Sequence, residues 1–83
     1  MEEKEIGRVT HFFEKPSVAV IKLSSKIEVG NKLHFKGSKT DFKQEIDSIH
    51  IEHENIQSAD SGQLIGLKVI EKARVNDLVF LII

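Results

Sequence analysis

The sequence of 83 residues contains no cysteine, which excludes disulfide bonds, thiolate metal sites and a cysteine nucleophile. It has no apolar run approaching the ~18 residues of a membrane-spanning helix. It also has no Gly-x-x-x-x-Gly-Lys-Ser/Thr pattern, so there is no phosphate loop to hold a nucleotide. No spacing of serine, histidine and acid indicates a catalytic triad. These absences predict a protein that is not an enzyme, with no catalytic residues, no nucleotide site and no cofactor.

The charge balance is close to neutral, with 12 lysines and arginines against 13 aspartates and glutamates. Proteins that grip nucleic acid through its phosphates usually show a strong basic excess, so only a local patch could serve here. Four of the first five residues are charged, and this segment is expected to fray. It lacks the apolar segment of a secretory signal. Together with the absence of cysteine, this indicates a cytoplasmic protein. The length of 83 residues indicates a single domain over residues 1–83.

The hydrophobic pattern alternates with the period of a β-strand in most of the chain, and no convincing helix is found. Six strands are predicted, at residues 6–13, 18–23, 31–37, 42–54, 65–69 and 78–83. We expect an all-β protein, specifically a small closed six-stranded antiparallel barrel, because closure removes sheet edges that would pair with other chains. The predicted core residues are Ala19, Ile21, Leu33, Phe35, Ile46, Ile49, Ile65 and Leu67.

Two local features refine this barrel. In residues 42–54, Ile46 has one parity and Ile49 and Ile51 have the other, which predicts a β-bulge near Asp47 and Ser48. In residues 56–69, a polar loop ends at a glycine suited to positive φ, Gly62, and leads into a strand. A second glycine within that strand, Gly66, is typical of a bulge or a close backbone approach.

Three segments resemble turns in the second domain of translational GTPases such as elongation factor Tu and the bacterial initiation factor. They are residues 27–33, 59–67 and 74–77. Asn31 and Asn76 replace the aspartate and glycine usual in that family, and asparagine suits both turns. The resemblance implies a stand-alone barrel of this type that binds a protein or ribonucleoprotein partner. An accessory domain of a larger GTPase or peptidase assembly, acting in trans, is a further alternative.

A lysine-rich segment is the candidate for RNA or partner binding. Lys32, His34 and Lys36 lie on one predicted strand face, and Lys39 and Lys43 follow closely. Such a patch can track an RNA or tRNA backbone, which gives an alternative function. The competing interpretation is a solvated strand face whose lysines protect a sheet edge. No exposed aromatic residue is expected among these lysines.

The last strand, residues 78–83, has no charged residue, although a barrel interior accepts only one face of a strand. One row must therefore point outwards, and Leu78, Phe80 and Ile82 are the candidate apolar partner surface. The alternative is that the N-terminal segment or a loop covers this row. The oligomeric state stays open at this point.

Histidines near residue 50 are the only candidate for a metal site. His50, Glu52 and His53 include ligand types that bind zinc. However, strand parity places His50 and His53 on different sides, so ordinary surface histidines are the better interpretation, and no metal is expected.

Overall fold

The computed structural model describes residues 2–52 and 54–83, and every regular element in them is a β-strand. The strands are β1 (Glu3–Phe13), β2 (Val18–Leu23), β3 (Ile27–Glu28), β4 (Lys32–Lys36), β5 (Asp41–Glu45), β6 (Ile49–Ile51), β7 (Glu54–Ile56), β8 (Ser58–Ala59), β9 (Leu64–Lys68) and β10 (Leu78–Ile82). The predicted all-β class is therefore confirmed. The described chain has no helix of the length and apolar character needed to cross a membrane.

Eight strands form one antiparallel sheet in the order β5-β4-β10-β1-β2-β9-β6-β7, and β3 pairs with β8 in a small second sheet. Among the described residues no ladder joins the outermost strands β5 and β7, so the sheet is open. The prediction of a closed six-stranded barrel is therefore wrong in both strand number and closure. Alternation along a strand reveals which side chains are buried, but not which strands become neighbours.

The predicted long strand over residues 42–54 is instead interrupted at residues 46–48. Ile46 accepts a hydrogen bond from the Gly30 amide at 2.9 Å and donates one to the Asn31 carbonyl at 2.8 Å. The chain then crosses the molecule, because β5 pairs with β4 whereas β6 pairs with β9 and β7. The change of phase predicted as a bulge near Asp47 and Ser48 is thus a break between two strands. Register shifts lie on β1 instead, between Glu5 and Gly7 and between Val9 and His11.

The core lies against the inner side of the large sheet and consists mainly of aliphatic side chains. All eight predicted core residues are buried, and none is more than 2% exposed. Phe35 and Phe42 stack within it with ring centroids 4.7 Å apart. Gly7 belongs to the same packing, because a Cβ atom there would lie 2.8 Å from Ile21 Cγ2 and from the Lys22 carbonyl oxygen. Any larger residue at this position would push β1 away from β2.

One side chain of the edge strand β5 bonds to the main chain at the end of β9. The Gln44 amide of β5 donates to the Lys68 carbonyl and accepts from the Ile70 amide, both at 2.9 Å. An added strand would pair with the same two main-chain groups, so a primary amide takes the place of a strand residue here. We call this contact the Gln44 seam.

Both ends of the described chain are held in the sheet. Residues 1–5 were expected to fray, but β1 begins at Glu3, which lies opposite Ile82 of β10. The Ile83 amide also donates to the Glu2 carbonyl at 2.8 Å. Met1 lies outside the described residues. The two ends are therefore adjacent.

The turns follow the predicted chemistry. Gly30 and Gly62 have φ values of 98° and 90°, and Asn76 has a φ of 76°. Asn31 accepts a hydrogen bond from the Glu28 amide at 2.7 Å through its side chain. These residues stabilise tight turns because glycine and asparagine tolerate left-handed backbone and local hydrogen bonding. At Gly66 the ladder with β2 is regular, and a Cβ atom would meet Val18 Cγ1 at 3.3 Å, so it marks a close approach without a bulge.

Candidate partner-binding face

The two candidate sites predicted from separate segments lie side by side on one outer face. In the β4–β10 ladder, Lys36 is opposite Leu78, His34 opposite Phe80 and Lys32 opposite Ile82. The intervening residues Leu33, Phe35 and Val79 are buried and Leu81 packs against the core, so the paired residues project away from it. We call this surface the β4–β10 face; Asp41, Lys43 and Glu45 of β5 border it on one side and Glu3 and Glu5 of β1 on the other.

His34 does not point into solvent between the lysines as the alternation predicted, because it is only 7% exposed. Its Nδ1 atom lies 2.9 Å from a Glu3 carboxylate oxygen, and its Nε2 atom lies 2.5 Å from an Asp41 oxygen. The Phe80 ring is 6.4 Å away. The side chain is thus held between two carboxylates that come from strands on either side of it.

These contacts change the protonation equilibrium of the cluster. The hydrogen bond to Asp41 raises the pKa of His34, burial opposes this effect, and the Glu3 carboxylate adds to the increase. The hydrogen bond from His34 lowers the pKa of Asp41. Each partner therefore favours the charged form of the other.

The apolar row of Leu78, Phe80 and Ile82 is half-buried rather than fully open. Glu3 is opposite Ile82 on β1 and reaches His34 on β4, so its side chain crosses over β10, which lies between those strands. The alternative in which the N-terminal segment covers the row is therefore correct in part. A shallow open depression remains between Ile82 and the two neighbouring lysines, Lys32 and Lys43.

The lysines of this face alternate with carboxylates. In the β4–β5 ladder, Lys32 is opposite Glu45, Lys36 is opposite Asp41, and Lys43 is opposite His34. Lys39 is exposed in the turn between the strands. The face is mixed in charge, whereas phosphate-backbone binding depends on cations that remain free to contact phosphates. A role of these lysines in RNA binding stays a prediction.

The described residues offer little for catalysis. Both ring nitrogens of His34 contact carboxylates, which leaves neither free to act as a base towards a nucleophile. Ser48 Oγ lies 3.2 Å from His50 Nε2, but no carboxylate in the described part of the chain hydrogen bonds to this histidine, as a triad requires. No group of three or more described His, Asp or Glu residues has an arrangement that could hold a metal ion. His53, the third residue of the metal alternative, lies outside the described residues.

Comparisons with known proteins find this chain similar to segments of proteins named as peptidases or proteases. It matches no protein-family model. It is 34% identical over 79 residues to an uncharacterized protease of Methanocaldococcus jannaschii, a match that spans 94% of this chain but only 19% of that protein. Two structures of the C-terminal domain of a Geobacillus thermoleovorans protein assigned to the U32 peptidases superpose with TM-scores of 0.87 and 0.86, at 19% identity. Each match covers 92% of this chain. It covers 96% of the chain in the first structure and 89% of the chain in the second.

The chain shares the fold of the C-terminal domain in these two structures. This finding overturns the proposed resemblance to the second domain of translational GTPases, and with it the function of a translation-factor-like binding module. The motifs behind that resemblance were turn residues such as Gly30, Gly62 and Asn76. Turns of this kind depend on backbone conformation and recur in unrelated β-proteins, so they do not identify a family.

Sequence reasoning missed the partners of His34. Glu3 lay in a segment expected to fray, and its contact with His34 spans 31 positions in the chain. Asp41 lay just outside the strand predicted at residues 42–54, although it begins β5 and is opposite Lys36. The only available signal was a histidine replacing a lysine in the middle of an otherwise basic row, and this pattern alone does not indicate which acid is near.

Proposed function

We propose that this chain is a non-catalytic domain of a U32-type peptidase and that it binds the catalytic part of that peptidase. The observation that carries the proposal is the match of almost the whole chain to about a fifth of a protease, together with the fold it shares with an isolated C-terminal domain. A domain within a larger protein commonly contacts the remainder through part of its surface.

The β4–β10 face has the composition expected of such a surface. Leu78, Phe80 and Ile82 form an apolar strip, and charged residues of both signs lie on either side of it. Protein interfaces commonly combine an apolar centre with a polar rim. The sheet side chains here belong to rigid strands, so little conformational entropy is lost when they bind.

Affinity capture from an extract of the source organism tests this proposal. The immobilised chain is expected to retain a U32-type peptidase, identified by mass spectrometry, and to hydrolyse no casein by itself. Phe80→Lys places a charge in the centre of the apolar strip and should abolish this capture. Leu64→Lys is the matched control, because Leu64 is 55% exposed on β9, away from the strip.

Three results would contradict the proposal. One is that no U32-type peptidase is retained by the folded wild-type chain. Another is that Phe80→Lys, shown to be folded by circular dichroism, retains the peptidase as well as the wild type does. The third is hydrolysis of casein by the purified chain alone.

A further inference from the structure

A second part of the outer sheet surface lies on β2 and β9, separated from the β4–β10 face by β1, whose Arg8 is opposite Leu78 on one side and Lys22 on the other. Ala19, Ile21, Ile65 and Leu67 of these strands are buried, so the residues that alternate with them point outwards. The ladders place the outward residues in three rows, Phe13-Val18-Lys68, His11-Val20-Gly66-His50 and Arg8-Lys22-Leu64. We call this surface the β2–β9 face.

The β2–β9 face exposes several large apolar side chains. Phe13 is 53% exposed and Leu64 is 55% exposed, and Val18 and Val20 are half-buried between them. The rings of His11 and Phe13 are nearly parallel, with centroids 6.5 Å apart. Contiguous apolar patches on a domain surface commonly mark interaction sites.

The centre of this face has no protruding side chain at Gly66. This glycine lies in the ladders between Val20 and His50 and carries no side chain, while Val18 leans towards it. The result is a strip of low relief with larger side chains on both sides. An extended chain can lie on such a strip and direct alternate side chains towards it.

The charge of the β2–β9 face is mainly positive. Its cations are Arg8, Lys22 and Lys68, and the described outward positions of β2 and β9 include no aspartate or glutamate. One carboxylate, Glu5 of β1, lies with Arg8 and Lys22 around a shallow depression at one end of the face. Glu14, in the turn after β1, forms an ion pair with Lys72 at 3.2 Å. The whole chain has a net charge of −1, so this segregation is a local property of the face.

We infer that the β2–β9 face binds an extended acidic polypeptide segment. Its carboxylates would contact Lys22 and Lys68, and its apolar side chains would pack on Phe13, Val18 and Val20. Charge complementarity selects the acidic partner. A single-stranded nucleic acid fits less well, because bases stack on aromatic rings whereas most of this strip is aliphatic. This inference goes beyond the proposed peptidase contact and concerns the part of the outer sheet surface on β2 and β9.

The test uses a short fluorescein-labelled peptide of alternating glutamate and valine, measured by fluorescence anisotropy with the full chain. Saturable binding is expected at low salt, with weaker binding at high salt. The double variant Lys22→Glu/Lys68→Glu should weaken binding by roughly tenfold or more, since charge reversal at an interface changes a favourable contact into repulsion. Lys32→Glu/Lys39→Glu makes the same charge change away from this face and should bind like the wild type.

The apolar part of the face has its own variant. Phe13→Ala should also weaken binding of the peptide, whereas Ile83→Ala, which alters a 67% exposed residue elsewhere, should not. In ¹⁵N-labelled protein, the amide signals that move on titration should map to β2 and β9. All these positions are exposed, so the variants are expected to fold, and circular dichroism confirms this.

Several outcomes would overturn the inference. They are the absence of saturable peptide binding, equal binding by the two lysine double variants, or signal changes confined to the β4–β10 face. Tighter binding of oligouridylate than of the acidic peptide would show that the face recognises nucleic acid instead. A peptide of alternating lysine and valine that binds equally well would show that charge does not select the partner.

Discussion

Removal of the Gln44 side chain tests how much one amide contributes to stability by joining β5 to the end of β9. Gln44 makes two hydrogen bonds, one to the Lys68 carbonyl and one from the Ile70 amide. A typical hydrogen bond contributes a net of about 0.5–1.5 kcal/mol, and water can replace part of this at a half-buried position. We therefore expect Gln44→Ala to lower the free energy of unfolding by about 1–2 kcal/mol.

A second substitution separates the two bonds. Gln44→Glu keeps an acceptor for the Ile70 amide but removes the donor to Lys68, so it should leave Ile70 protected from hydrogen exchange. In Gln44→Ala the Ile70 amide should exchange faster than in the wild type. The protection that it can lose is limited by the global free energy of unfolding. Urea unfolding gives the free energies, and amide exchange measured by NMR reports on Ile70 directly.

Gln57→Ala is the matched control, because this exposed glutamine lies outside the Gln44 seam. It should change neither the urea midpoint nor the exchange of Ile70. If Gln44→Ala also leaves both quantities unchanged, the seam does not stabilise the sheet, and the ladders alone account for its stability.

Three further substitutions probe other parts of the structure. Leu67→Ala, at a 1% exposed core position, should lower the free energy of unfolding in urea by roughly 2–5 kcal/mol. Leu64→Ala on the same strand should lower it much less, because Leu64 is exposed. Asn76→Ala should cost about 1 kcal/mol, because φ at this residue is 76°, and Asn76→Gly should cost nothing measurable. A stability loss in the glycine variant equal to that in the alanine variant would contradict the backbone explanation. His34→Gln should lower the free energy of unfolding most between roughly pH 4 and 6.5. The contacts that raise the pKa of His34 stabilise the fold while the histidine is protonated, and this stabilisation is lost as pH rises through the raised pKa. The lowered pKa of Asp41 acts in the other direction, and its contribution is lost as pH falls through that pKa. A difference in unfolding free energy between wild type and His34→Gln that does not shrink above this range, as pH rises through the raised pKa of His34, would refute the cluster's role.

The side of each strand that faces the core could be predicted from the sequence, because it depends on local alternation. Ala19, Ile21, Leu33 and Phe35 are buried for this reason. The turn at Asn76 could be predicted too, since its conformation depends on the residue itself. Local patterns of this kind need no knowledge of the neighbouring strands.

Strand partners could not be predicted in the same way. Ile46 has the alternation of a strand residue, yet its backbone bonds to the loop after β3, and this depends on contacts distant in sequence. The burial of His34 likewise depends on Glu3, 31 residues earlier. On the β2–β9 face, the outward parity of Val18 and Val20 was evident from the sequence. Their position beside Phe13 and Gly66 required the register of three strands.

The adjacency of Glu2 and Ile83 determines how this domain can be connected to other polypeptides. Their main-chain groups are joined by a hydrogen bond of 2.8 Å, so any sequence attached at either end would leave from the same corner of the molecule. The domain could therefore be inserted into an exposed loop of a host protein with almost no change in the spacing of that loop. A circular permutant with a short linker between these ends and new ends in the exposed turn at Lys39 should retain the fold, because no ladder crosses that turn.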